Sequence, residues 1–584
     1  MQNTVNRKTE WGTRSNAVLK IAGNIRQRLM IALLMLSVCL ACGCGEIQTM
    51  IQEQESKSEV KVNSSIYSND YVLDEGPREG GTLEIYSTAP ETFNPLLVQN
   101  VYVREITGLI YESIVNIDSR LKAETCLADS WTVSEDRLSW EIELKTGLYW
   151  HDGEEFTARD VVKTIERIRE YGTESPYYGI IGNIREVRQQ AKHRVVLDLH
   201  KANSFTPETL IFPIVPAHLP LEGLDNVDVV SNIERGLVGT GPYMVERYTV
   251  GDRIRLTENT KWAVRFTERK GSPPYVGKIV FTFFDVKTSA LSVFQKQGIQ
   301  AFFSRNVEYA RYQDSTEMQI KRYSERELSM LAFNTANPAV SRSVRFAISK
   351  MINREEIVET LLNGRGIPAE IPVQTESWLY EMGFAASLYD PESAGAILQG
   401  AGYGFDGGGY YRISNGNKYR LDLGLLVDKD NSDQVAVAEY IARTLNANGF
   451  EVTMEAVAND VMVQRMREGS FDISLIDYRV NPVPDFSILY SRPYFTQDFS
   501  MNVAQYQSDE VDRLIRELYL EHDELGRQNI FADIASILRS DCPYVGLYFK
   551  ASSLVLRNDV RGVHLPNVWN PFGSIENWYI ADYR

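Results

Sequence analysis

Strict alternation marks one part of the chain. Leu138, Trp140, Ile142 and Leu144 are separated by Ser139, Glu141 and Glu143, the two-residue period of a strand with one buried face. Gly80-Gly81 runs into Thr82-Leu83-Glu84-Ile85-Tyr86, a second strand signal. Elsewhere the period is helical. Thr157 and Asp160 have capping-box spacing, and Val161, Val162, Ile165 and Ile168 behind them form an apolar stripe. Val344, Ala347, Ile348, Met351 and Ile352 make another stripe. Asn353 and Glu356 open a further helix through Ile357, Val358, Leu361 and Leu362 that stops at Gly364. Asp390-Pro391 starts one with Ala394, Ile397 and Leu398 inside and Gly400 near its end. Residues 431–448 read as a helix followed by a strand through Val452 and Met454. Asp406-Gly407-Gly408-Gly409 precedes a strand rather than a helix, which predicts a hairpin turn. With no internal repeat, the pattern predicts an α/β or α+β fold with mixed sheets.

The amino terminus follows a different logic. Residues 1–43 carry six basic side chains against the single acid Glu10, then a largely apolar run from Leu29 to Leu40, then Ala41-Cys42-Gly43-Cys44. A basic segment, a short apolar segment and small residues match a secretory signal peptide over 1–43. The apolar run is too short for a comfortable membrane span. A cysteine directly after small residues resembles the lipobox of bacterial lipoproteins, which implies lipidation at Cys44, or at Cys42, and a lipid anchor to the membrane. Residues 44–79 are polar and aperiodic, rich in Gln, Glu and Ser, and read as a flexible tether. Only Cys126 and Cys542 remain beyond it, too few for a disulfide scaffold.

Composition narrows the function classes. At 584 residues and 43% hydrophobic the chain can bury several cores. Its net charge of −17 lacks the basic footprint of a nucleic-acid binder. Six histidines leave few ligands for a transition-metal site, and none is expected. The nucleophile elbow, the zincin helix motif, the Walker loop and a dinucleotide-binding glycine motif between strand and helix are all absent. Carboxylate pairs such as Glu154-Glu155 read as solvated faces. His151-Asp152 reads as a turn, because adjacent side chains in an extended segment point to opposite faces. Neither an enzyme nor a resident cofactor is expected. The 31 tyrosines and 8 tryptophans suit a cleft for a polar ligand, since each ring pairs apolar area with a polar tip.

Several blocks then resemble one family. They are Glu79-Gly80-Gly81-Thr82-Leu83 with Phe93-Asn94-Pro95-Leu96; Leu127-Ala128-Asp129-Ser130-Trp131; Leu144-Lys145-Thr146-Gly147-Leu148-Tyr149-Trp150-His151-Asp152-Gly153 with Phe156-Thr157-Ala158-Arg159-Asp160-Val161; Gly239-Thr240-Gly241-Pro242-Tyr243; Phe333-Asn334-Thr335; and Gly469-Ser470-Phe471-Asp472-Ile473. In this order they resemble the extracellular solute-binding proteins of family 5, which serve ABC importers of oligopeptides, dipeptides and nickel chelates. The resemblance implies an α/β, two-lobe periplasmic-binding-protein-like fold of the large three-subdomain type, with hinge crossovers. Lobe I would comprise 80–120, 237–325 and 543–584, its insert subdomain 121–236, and lobe II 326–542. It further implies a monomer that encloses a solute between lobes, most naturally an oligopeptide, and presents the closed shape to permease subunits. A nickel chelate, another small solute, or a surface receptor for a peptide signal are the alternative readings.

The resemblance also implies ligand residues. In the peptide binders of the family a lobe II aspartate, in a segment like W-x-x-D-Y-x-x-P, holds the peptide amino group. Here the segment is Leu475-Ile476-Asp477-Tyr478-Arg479-Val480-Asn481-Pro482-Val483-Pro484, without the tryptophan. Alignment on Pro482 puts Tyr478 at the anchor position, alignment on Pro484 puts Val480 there, and alignment on the Asp-Tyr pair restores Asp477. Arg479 would instead favour an anionic group. Thr88 after the first strand, Asn334 near a crossover, and Trp378 and Tyr380 in the loop after Pro372 complete the expected cleft residues.

Overall fold

The computed structural model describes residues 76–262, 274–285, 287–296, 298–312, 314–380, 389–491 and 502–581, so the expected signal peptide, Cys42, Cys44 and nearly all of the tether lie outside the described residues. The described chain is built on a mixed 11-stranded sheet. Across it the strands run Glu451–Val457, Asp422–Asp428, Ile473–Arg479, Met318–Phe333, Tyr544–Arg557, Ala301–Ser304, Thr82–Thr88, Lys278–Phe284, Arg253–Glu258 and Tyr243–Thr249, with Gly366–Pro368 paired on Tyr544–Arg557. Parallel and antiparallel neighbours both occur.

Two long strands join the halves of this sheet. Met318–Phe333 pairs antiparallel with Tyr544–Arg557 along most of its length, and the register shifts between Ser324 and Leu328. Before the shift the pair lies beside Ala301–Ser304; after it, Leu328 to Phe333 pair with Ile473 to Tyr478. Such a bulge bends a strand and raises its twist. The apolar cores follow the same division. One buried cluster joins Leu83, Ile106, Phe156, Phe281 and Leu556. Two others join Leu328, Phe486 and Phe531, and Phe333, Ile348 and Leu425. These are the cores of two lobes connected by the long strand pair.

The expected elements form for the expected reasons. Thr157 and Asp160 make the reciprocal capping box of helix Ala158–Tyr171, whose Val161, Ile165 and Ile168 are buried. Asp390 caps Pro391–Gly400, and Asn431 caps Ser432–Ala447. Glycines 407–409 connect Gly404–Phe405 to the antiparallel strand Tyr410–Ser414. One helix departs from expectation. After Asn353 only Arg354–Glu356 is regular, and Ile357–Leu361 opens into a wider π-type turn. There Ile357 and Val358 are driven into the core, and the Arg354 guanidinium donates to Gly546 O at 2.7 Å.

A separate four-stranded sheet, Ala128–Val133, Ser139–Leu144, Arg194–Leu199 and Ile184–Ala191, rests on helix Ala158–Tyr171. A loop from this region crosses to the other lobe. Phe205 is buried in the second-lobe cluster, and Ser204 N donates to Tyr519 O at 2.7 Å.

Candidate functional site

The motif Gly239-Thr240-Gly241-Pro242-Tyr243 is held from two sides. His151 Nδ1 accepts from Gly239 N–H at 3.3 Å, and its Nε2 lies 3.1 Å from Gly241 O. Gly241 N–H donates to Ile110 O at 2.8 Å. A Cβ on Gly241 would sit 2.6 Å from Leu109 O, and one on Gly239 only 1.8 Å from Ile110 O. Glycine is therefore required by close backbone approach. The consequence is positional, because this motif fixes the end of helix Val101–Ile110.

That helix forms one wall of a cleft of about 590 Å³. Val101, Arg104, Glu105 and Gly108 share one face of the helix and line it, with Glu112 just beyond the helix end. Trp569 and Phe572 of the carboxy-terminal segment form a second wall, and Arg326 and Arg479 bring in the other lobe.

Charge is concentrated here. Arg326 Nε donates to Val480 O at 3.0 Å, Nη2 donates to Asn481 Oδ1 at 3.2 Å, and its guanidinium lies 4.6 Å from the Trp569 ring centre. Burial, reinforced by the like charges of Arg479 and Arg104, pushes its pKa down to about 10. Glu105 is only 3% exposed, and its Oε2 has no hydrogen-bond partner. Burial raises its pKa well above the usual carboxylate range, Glu325 adds to this and Arg104 opposes it. Glu112 Oε1 accepts from Trp262 Nε1 at 2.9 Å.

The strand bulge that carries Arg326 is braced. Glu325, whose side chain is 5% exposed, accepts from Arg305 at 3.1 and 2.8 Å and from the Ser552 hydroxyl. Gln374 donates to the carbonyls of Ser324 and Glu325, and Glu376 accepts from Ser324 N–H at 3.0 Å.

Of the seven residues expected to bind ligand, only Arg479 lines this cleft. Asp477 shares its face of the strand but is engaged by Lys550 at 2.7 Å and by the Ser329 hydroxyl. Tyr478 points the other way into the second-lobe core, where burial pushes its pKa up. Trp378 is buried in the same core beneath the guanidinium of Arg527, 4.7 Å from its ring centre. Tyr380 packs against this core, 5.4 Å from Phe531, and donates to Val373 O. The Asn334 amide is spent on the carbonyls of Gly469 and Phe471. Thr88 accepts from Asn100, the cap of helix Val101–Ile110. Sequence reasoning missed three cleft residues, Arg104, Glu105 and Arg326. Arg104 and Glu105 are charges inside an otherwise largely apolar helix, whereas Arg326 sits in a charged stretch of its strand and carried no such signal.

Comparison with known proteins agrees with this architecture. The model of bacterial extracellular solute-binding proteins, family 5 Middle, matches residues 122–499. The chain belongs to that family. Among family 5 relatives, the oligopeptide-binding protein AppA of Bacillus subtilis is 23% identical over 86% of this chain and 92% of its own. The nickel-binding periplasmic protein of Escherichia coli is 22% identical over 78% of this chain and 86% of its own. The unliganded open form of the periplasmic murein tripeptide binding protein MppA superposes with a TM-score of 0.71 at 18% identity, over 87% of this chain and 99% of that one, which shows the fold. No helix among the described residues is long and apolar enough to cross a membrane, and no group of His, Cys, Asp or Glu among them could hold a metal ion.

Proposed function

We propose that this family 5 protein captures a short peptide in the cleft between its lobes and delivers it to an ABC importer. The observation that carries the reading is the cleft itself. It has about 590 Å³ of room, aromatic walls at Trp262 and Trp569, basic and acidic side chains on the helix Val101–Ile110 side, and the basic Arg326 and Arg479 on the opposite lobe. A zwitterionic chain with varied side chains suits such a site, because charged ends gain most where water is partly excluded and loose walls tolerate different residues. The oligopeptide-binding relative, aligned over most of both chains, supports the same cargo.

The division into lobe I (80–120, 237–325 and 543–584), insert (121–236) and lobe II (326–542) is part of this proposal. So are a signal peptide over 1–43, a lipid on Cys44 or Cys42, and a monomer held on the outer face of the membrane by the 44–79 tether. Two acyl chains on one cysteine anchor far more stably than one. Capture and shape change, not catalysis, would be the output.

Native mass spectrometry of the mature protein, followed by denaturing spectra, tests the cargo. A heterogeneous mass that is lost on denaturation and fragments as short peptides is expected. A single added mass with a nickel isotope pattern would replace the peptide by a metal chelate, the cargo named for the Escherichia coli relative.

A further inference from the structure

Three guanidiniums converge on the cleft, those of Arg104, Arg326 and Arg479. Several arginines of the described chain sit against a carboxylate, as Arg305 does on Glu325 and Arg365 on Asp433. Arg104, Arg326 and Arg479 do not. Among the described residues none of them belongs to an ion pair within 4.0 Å. Arg104 and Arg326 are half-buried, and Arg479 is exposed at the rim. The like charges sense one another, since both neighbours depress the ionisation of Arg326. Positive charge with no close ion-pair partner, held in a partly buried cleft, costs free energy, which a bound anion would return.

A second observation points the same way. Glu105 is buried in the same wall with one carboxyl oxygen unpartnered. Burial raises its pKa well above the usual carboxylate range, which favours the neutral O–H form over a second anion there. Around Arg104, Glu105, Arg326 and Arg479 the cleft thus offers mainly donors, while the nearby Glu112 is held by Trp262 Nε1, and the complement of those donors is a group of clustered oxyanions.

We infer that the cleft selects ligands presenting two carboxylates at one end, such as a peptide ending in Asp or Glu, seated among Arg104, Arg326, Arg479 and Glu105. Bidentate guanidinium–carboxylate pairs give this preference both geometry and strength. The inference deepens the peptide reading and rests on it for the backbone of the ligand, whereas the carboxylate chemistry itself could equally come from a nickel complex of a polycarboxylate.

Calorimetry on the mature protein separates these cases. The probes are Ala-Ala-Asp, its neutral-side-chain counterpart Ala-Ala-Asn, and nickel with a tricarboxylate chelator. Tighter binding of Ala-Ala-Asp by about tenfold or more is expected, the size of one charge-assisted contact in a partly dry site. In Arg104→Gln and in Arg479→Gln that preference should fall towards one, and Arg479→Lys should keep part of it. Equal affinity for the two peptides in the native protein would overturn the inference and leave the peptide reading standing. Binding of the chelate alone, lost in both arginine variants, would uphold the carboxylate site and overturn the peptide. No binding of any probe would overturn both.

Discussion

Lys550 Nζ lies 2.7 Å from Asp477 and 3.0 Å from Glu327, bridging two acids on neighbouring strands. The aspartate that its motif offers as an anchor for a ligand amino group already holds an internal ammonium. Asp477→Asn should therefore cost about 1 kcal/mol of stability, the scale of a partly exposed ion pair, and change peptide affinity by no more than about threefold. Thermal melts and calorimetry on the same sample check this, and a hundredfold loss of affinity would put Asp477 in contact with ligand.

The pair also has a pH signature. Burial alone would raise the pKa of Glu327, but Lys550, with help from Arg305 and Arg479, holds it below the ordinary 4.5. A depressed acid stabilises the fold at every pH above 4.5 and loses that contribution as pH falls through its folded-state value. Glu327→Gln should be about 1 kcal/mol less stable than the native protein at pH 7, with the gap closing in acid. Urea midpoints at pH 7 and pH 3 that differ by the same amount would contradict the assignment.

Glu105 has the opposite sign. Its pKa is raised by burial, so its favourable contribution is complete at low pH and is lost as pH rises towards the folded-state value. Glu105→Gln, nearly isosteric with the protonated acid, should match the native protein at pH 4 and exceed it by about 1 kcal/mol or more at pH 8. Calorimetric melts at the two values suffice, and a variant that is less stable at pH 8 would show a carboxylate ionised and paired in the native state.

Gly241→Ala tests what the family motif is for. The added methyl would meet two carbonyl oxygens of the helix end, at 2.6 and 2.7 Å. A destabilisation of about 3 kcal/mol is expected from the forced backbone shift. Ligand affinity should fall with it, because the displaced helix carries Arg104 and Glu105. Unchanged stability would mean the segment has room that the structure does not show.

Much of the fold was legible because its signals are local. The Thr157/Asp160 box, the Asp390 and Asn431 caps and the alternation through Trp140 and Ile142 each depend on residues a few positions apart. The cleft was not legible for the converse reason. Arg104 and Arg326 are more than two hundred residues apart, and only the sheet order brings them to one cavity. In the Asp477–Arg479 segment the motif left three alignments open, and the facing side of each residue is decided by strand alternation and the Lys550 contact together.

Phe205→Ala addresses the loop that reaches across. Phe205 is 1% exposed, with Arg527 5.0 Å from its ring centre and Trp378 at 6.5 Å. Truncation should cost about 4 kcal/mol. Denaturant melts would show it, and no shift would mean the loop does not stay docked.

That docked loop changes what kind of joint the molecule has. A body tethered at one place can tilt in any direction, whereas one tethered at two places can only swing about the line through them. The paired strands Met318–Phe333 and Tyr544–Arg557 are one tether and the Phe205 socket is the other. With both engaged, any closing of the lobes would be confined to an axle rather than free as a ball joint. Every ligand, whatever its side chains, would then end in the same outline, and a single outline is all that a membrane partner would have to read.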